Sequence, residues 1–189
     1  MGIPIQAIVY GMIVAAVPGL AQATSGEAPL VPVTVCEILA SPQQFNGKNV
    51  AVLGRLGRTN EGWWLGEDDC GSKIVQEGYT WPNLVWVECC YEPAPDPPSG
   101  SLRLGDVFVA AKLKQVKETT KLRYQTDAWV VAYGRIETRS ELRPPRGTGP
   151  NRDWGNGFGH LRGAPMQIVI KEKNVHTIRD DASAGQKQE

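Results

Sequence analysis

Four cysteines and two histidines are the residues of this sequence best suited to chemistry, with an acidic run, Glu67-Asp68-Asp69, beside them. Cys36, Cys70, Cys89 and Cys90 allow three complete disulfide pairings. Cys36 and Cys70 bracket a helix-strand-strand unit. A bridge between them would close roughly 34 residues and contribute roughly 3–4 kcal/mol through loop entropy. Cys36–Cys70 is the expected pairing, and Cys70–Cys89 or Cys70–Cys90 competes with it. Neighbours on a strand face opposite ways, so one of Cys89 and Cys90 is expected as a buried apolar thiol and the other as exposed. Redox chemistry at that pair has no Cys-x-x-Cys and no thioredoxin-like βαβ pattern behind it.

His160 is the strongest single candidate for a general base. It sits in GNGFGHLRG, which precedes a strand and not a helix, so the stretch cannot present the stacked N–H groups of a dinucleotide fold. A histidine in such a turn more often hydrogen-bonds backbone. His160, His176, Cys89, Cys90, Asp68 and Asp69 are the available metal ligands. No two histidines share a zinc spacing, and Glu67-Asp68-Asp69 lacks the ligand spacing of a calcium loop. That run reads as a solvated acidic loop. Hydrolase and phosphate-loop signatures are absent. No metal, no cofactor and no catalytic residue is assigned. The remaining candidates are aromatic. Trp63, Trp64 and Trp81, with His160, are the expected ligand-contacting residues. Trp63 and Trp64 point to opposite strand faces.

The elements that must position these groups follow from local pattern. Thr34 and Glu37 make a capping box, and Val35, Ile38 and Leu39 share one helical face. Pro42 ends or restarts that turn, and Asn46-Gly47 leads into a strand. Residues 48–58 alternate as a half-buried strand, with Gly54 expected at a bulge or bend. Thr59-Asn60-Glu61-Gly62 is a hairpin connection to a strand starting at Trp63. In residues 84–89, Leu84, Trp86 and Glu88 take one face and Val85 and Val87 the other. Residues 91–101 form a proline-rich loop. Residues 104–119 read as a helix in preference to an alternating strand. Residues 127–139 and 165–175 are strands, separated by an Arg/Gly/Pro-rich loop at 141–161.

The order is helix, three strands, helix, two strands. A mainly β fold is expected, a β-barrel of oligonucleotide/oligosaccharide-binding (OB-fold-like) type with an N-terminal short helix and a helix between strands three and four. VCEILASPQQFNGKNVAVLGRL, GYTWP and GFGHLRGAPMQIVI resemble a set of uncharacterised exported bacterial proteins, acidobacterial in type, with OB-fold-like domains. The resemblance implies export and that fold, and it implies no activity. The insert at 141–154 and the doubled Cys89-Cys90 depart from its pattern.

Export is also read from the residues. Residues 1–20 carry no Asp, Glu, Lys or Arg, and an apolar run there ends at Pro18-Gly19 before Ala21-Gln22-Ala23. A signal peptide over 1–23, a leader over 24–32, one domain over 33–178 and a disordered tail over 179–189 are expected. An uncleaved membrane anchor is the alternative. The mature chain is expected in the periplasm or secreted, where disulfides persist. The whole chain has 189 residues and zero formal net charge, which argues against long-range steering toward polyanions. Arginines concentrate late in the chain, but Glu61, Glu67, Asp68, Asp69, Glu77 and Glu88 occupy the region a nucleic-acid groove would need basic. The expected function is a non-catalytic binding module for a glycan, a small polar ligand or an envelope protein. An enzyme or redox protein using His160 or Cys89/Cys90 is the second class, and a single-stranded nucleic-acid binder the third.

Overall fold

A computed structural model describes residues 30–90, 93–98 and 128–178. The expected signal segment, most of the leader, the helix expected at 104–119 and the tail lie outside the described residues.

The first turn of structure is set by local hydrogen bonds. Strand β1 (Val33–Thr34) runs into helix α1 (Val35–Ala40). The Thr34 hydroxyl accepts from the Glu37 N–H at 3.1 Å, and the Glu37 carboxylate accepts from the Thr34 N–H at 2.8 Å. Two otherwise unsatisfied donors are thus met reciprocally. Six residues are too few for a stable isolated helix. Packing supplies the difference, because Val35, Ile38 and Leu39 are all buried, each contributing roughly 1.5–3 kcal/mol. Pro42 then occupies the start of a second short helix, α2 (Pro42–Phe45), where its missing N–H costs nothing. Gly47, at φ +73°, turns the chain toward the sheet.

The rest is mainly β. Strands β2 (Asn49–Thr59), β3 (Gly62–Gly66), β6 (Leu84–Cys89), β7 (Ala128–Glu137) and β8 (Gln167–Thr177) join β1 in one mixed six-stranded sheet. A separate small hairpin pairs β4 (Val75–Gln76) with β5 (Tyr79–Thr80). Within the large sheet the order is β1-β2-β3-β6-β8-β7, and β7 pairs back onto β2. Most neighbours are antiparallel, while β1 with β2 and β6 with β8 are parallel.

Alternation divides the strands into two faces. Val52, Leu65, Val85, Val87, Val130, Ala132, Ile136, Ile168 and Ile170 point to one buried cluster, which α1 also enters. On the opposite face, Ala51, Leu53, Trp129, Val131 and Tyr133 form a second buried cluster, against which Leu30 and Ile178 pack. Strands β2 and β7 are therefore buried on both faces over these stretches. The expected alternation at Leu84–Cys89 is the observed one.

Gly54 is not at a bulge. It pairs in unbroken register with Val130, and its lack of a side chain admits Val35 and Leu65; a Cβ there would lie 2.9 Å from the Val35 methyl. The register shift falls instead between β7 and β8, where Ala132 pairs with Val175 and Gly134 with Ile170, so the extra residues lie on β8. There Gly134 lets the Val169 carbonyl and Ile170 approach closely.

Candidate ligand-binding face

Strand register places one line of side chains across the outward face. Gly57 pairs with Trp64, Trp64 with Trp86, Trp86 with Gln167, and Gln167 with Glu137. Paired residues share a face, so this line crosses β2, β3, β6, β8 and β7. Two residues further along, on the same face, Glu88 pairs with Val169 and Val169 with Arg135.

The aromatic half is fixed by glycines. The Trp64 indole rests on the backbone of Gly57, where a Cβ would lie 2.3 Å from Nε1. Trp86 is held between Gly62 and Gly159, where added Cβ atoms would lie 2.3 and 2.1 Å from its ring. Both indoles remain partly exposed. Beside them His160 Nε2 lies 3.4 Å from Glu61 Oε1, with side chains 39% and 62% exposed.

The polar half is a groove of about 310 Å³ lined by Glu88, Pro93, Arg135, Glu137, Gln167 and Val169. Arg135 donates to Glu137 Oε1 at 2.8 Å and to the Pro93 carbonyl at 3.2 Å. Gln167 Nε2 donates to Glu137 Oε2 at 2.8 Å. Burial pushes the Glu137 carboxyl up, but the hydrogen bonds from Arg135 and Gln167 and the charges of Arg135 and Arg139 outweigh it and hold it below its ordinary range.

The loop 138–166 closes one end of this face and engages arginines within itself and with Glu77. Arg139 donates to the Asn156 carbonyl at 2.5 Å and lies over the Phe158 ring. Arg143 pairs with Asp153 at 2.5 Å, Arg146 pairs with Glu77, and Arg152 lies over Trp154. The side chain of Asn156 ties both sides of the loop, accepting from the Arg143 N–H and donating to the Glu141 carbonyl.

The sequence-predicted residues are not gathered into one site. Trp64 is on the outward face. Trp63 points the other way, packs against the core and has Arg58 5.3 Å from its ring centroid. Trp81 is 1% exposed and lies against Gly157 beneath the loop, edge-on to Tyr79, so it supports the loop and offers no surface to a ligand. His160 opens a short 3-10 turn, His160–Arg162, and its carbonyl accepts from the Gly163 N–H at 3.2 Å. Both it and Glu61 are surface groups.

Cys36 and Cys70 form a disulfide with Cα atoms 5.0 Å apart. The acidic run is not wholly solvated, contrary to expectation. Glu67 is 7% exposed and accepts from the Cys36 N–H at 2.9 Å, which anchors α1 from the loop side. Asp68 pairs with Arg55 at 2.9 Å. Cys36, Glu67 and Cys70 lie close enough to resemble a metal cluster, but the two sulfurs are bonded to each other. Cys89 and Cys90 are also joined, correcting the expectation of two separate thiols. Strand β6 ends at Cys89, and Cys90 takes φ +71°, so the pair no longer follows the alternation of a strand.

Trp86, Arg135, Glu137 and Gln167 are the face residues that sequence reasoning left out of the expected ligand contacts. Their outward direction was available from alternation with Val85, Val87, Ile136 and Ile168. Their adjacency was not, because β6, β8 and β7 are neighbours in space and not in sequence order. No known protein family, curated protein or solved structure matches the chain.

Proposed function

We propose that the chain is an exported, non-catalytic binding module built on an OB-like five-stranded barrel. The circuit of pairings from β2 through β3, β6, β8 and β7 back to β2 supports that architecture. The Cys36–Cys70 bridge favours an oxidising compartment. Among the described residues no helix is long and apolar enough to cross a membrane. The observation that carries the binding reading is the continuous line from Trp64 through Trp86 and Gln167 to Glu137 on an outward face. It joins rigid aromatic surface to a few fixed polar groups, the composition of a ligand site. The test is nuclear magnetic resonance mapping of the exported chain against envelope extract fractions. Shifts centred on the Trp64 and Trp86 indole N–H signals are expected; shifts confined to other surfaces would sink the assignment.

A second reading, a redox protein, draws on the bonded Cys89–Cys90 pair at the end of β6, with Cys90 exposed. It requires the pair to cycle against a dithiol reductant while Cys36–Cys70 stays intact. Alkylation after mild reduction, followed by peptide mapping, decides it.

A further inference from the structure

We propose that the outward face of β3, β6, β8 and β7 binds a neutral oligosaccharide, one ring stacked on Trp64 and the hydroxyls of the next rings bonded to Gln167 and Glu137. The proposal rests on the binding-module reading above and names its ligand class.

A sugar ring is amphipathic, with C–H groups on its faces and hydroxyls around its rim. It needs a flat aromatic surface and planar hydrogen-bonding groups at a fixed spacing. Trp64 supplies the surface, supported from beneath by the bare backbone of Gly57. Trp86 continues the line and is immobilised between Gly62 and Gly159. The planar groups are the Gln167 amide and the Glu137 carboxylate, each 2.8 Å from its neighbour in an Arg135–Glu137–Gln167 chain. Groups held in place before binding lose little entropy on binding.

Dimensions and charge narrow the ligand. Trp64 and Glu137 are three strand spacings apart, roughly 14 Å, the length of about three hexose rings. The positive charge of Arg135 is committed to Glu137. Glu88 lines the groove and Glu61 flanks the indoles, so phosphorylated or sulfated ligands meet repulsion. The Glu137 carboxylate, already engaged by Arg135 and Gln167, is better suited to sharing hydroxyl protons than to neutralising a new cation.

The test is calorimetry and tryptophan fluorescence on the full chain with glucose and N-acetylglucosamine oligomers of one to four rings. Choline and inorganic phosphate are the charged probes. Saturable binding of a neutral oligomer is expected, tightening up to about three rings. Trp64→Ala should weaken it roughly tenfold, Trp64→Phe should restore most of the loss, and Gln167→Ala should weaken it independently. Gln167→Ala keeps the test valid if Trp64→Ala does not fold. Sugar binding indifferent to both variants overturns the site. Choline or phosphate binding that these variants weaken, without sugar binding, overturns the ligand class and leaves the binding face standing. No response to any of these probes overturns the saccharide assignment, and if envelope fractions are also silent the module reading falls with it.

Discussion

The Trp86 indole lies against the Gly159 backbone so closely that a Cβ at Gly159 would stand 2.1 Å from the ring. Gly159 belongs to the long loop and Trp86 to β6, so this contact keys the loop to the sheet. Gly157 repeats the device one step earlier, on Trp81. The loop is therefore a structured wall of the candidate face, placed by two glycines on two indoles. Its arginines complete the fit by pairing within the loop and with Glu77.

Gly159→Ala should lower stability by roughly 2–4 kcal/mol, because it adds strain at φ +71°, ψ −162° to a clash with Trp86. Gly147→Ala is the matched comparison. Its φ is +75°, but nothing lies within 4 Å of the added carbon, so about 1 kcal/mol is expected. Urea midpoints of the two variants measure the difference. Equal losses would mean that the indole contact contributes nothing.

Features carried by near neighbours in sequence were legible without the structure. The Thr34–Glu37 capping box, the turn at Gly47 and the alternation through Val85, Trp86 and Val87 are set by residues at fixed short spacings. The Cys36–Cys70 pairing was legible because both cysteines flank one compact unit. The bulge offered for Gly54 is absent; a bulge and a close approach both call for glycine, and only Val35 packing on it decides between them. Two-sided burial of Ala51, Leu53, Val131 and Tyr133 was hidden, since small and aromatic residues on an outward face look the same whether covered or bare. The line from Trp64 to Glu137 was hidden more deeply, because it depends on register between strands far apart in the chain.

Replacing Cys36 and Cys70 together by Ser should cost roughly 3–4 kcal/mol, the closure entropy of the bridged loop. The cost should reach α1 first, since the bridge and the Glu67 contact at Cys36 both hold that helix to the acidic loop. Hydrogen exchange of residues 35–40 and denaturant unfolding measure the two effects. Peptide mapping of the unreduced chain should recover Cys36 with Cys70 and no reactive thiol among the four cysteines. A Cys70–Cys89 or Cys70–Cys90 peptide would refute the pairing.

Acid should weaken the fold through two carboxyls. Hydrogen bonds from Lys171 and Lys173 hold Asp96 below its ordinary value of 3.8, and Glu137 is held below 4.5 despite its burial. Between its ordinary and its depressed pKa, each group carries more proton in the unfolded chain than in the folded one. Its stabilising contribution is thus complete above the ordinary value and is lost as pH falls through the depressed one. Urea midpoints should fall on acidification below about pH 4.5. Glu137→Gln should start from lower stability at neutral pH and show a shallower acid slope. An unchanged slope would place the titration elsewhere.

Single-stranded DNA should not bind, even at low salt. Phosphate binding draws its strength from cations that release counterions when they meet the backbone. Here Arg143 already meets Asp153, Arg146 meets Glu77, and Arg139 and Arg152 lie over Phe158 and Trp154. A phosphate would have to displace a carboxylate or an aromatic face from each, recovering little. The adjoining groove presents Glu88 and Glu137 to the same strand. Fluorescence titration with an oligothymidine across a range of salt concentrations checks this. Affinity that falls steeply with salt would show that these arginine contacts open, and that the outward face is not closed to polyanions.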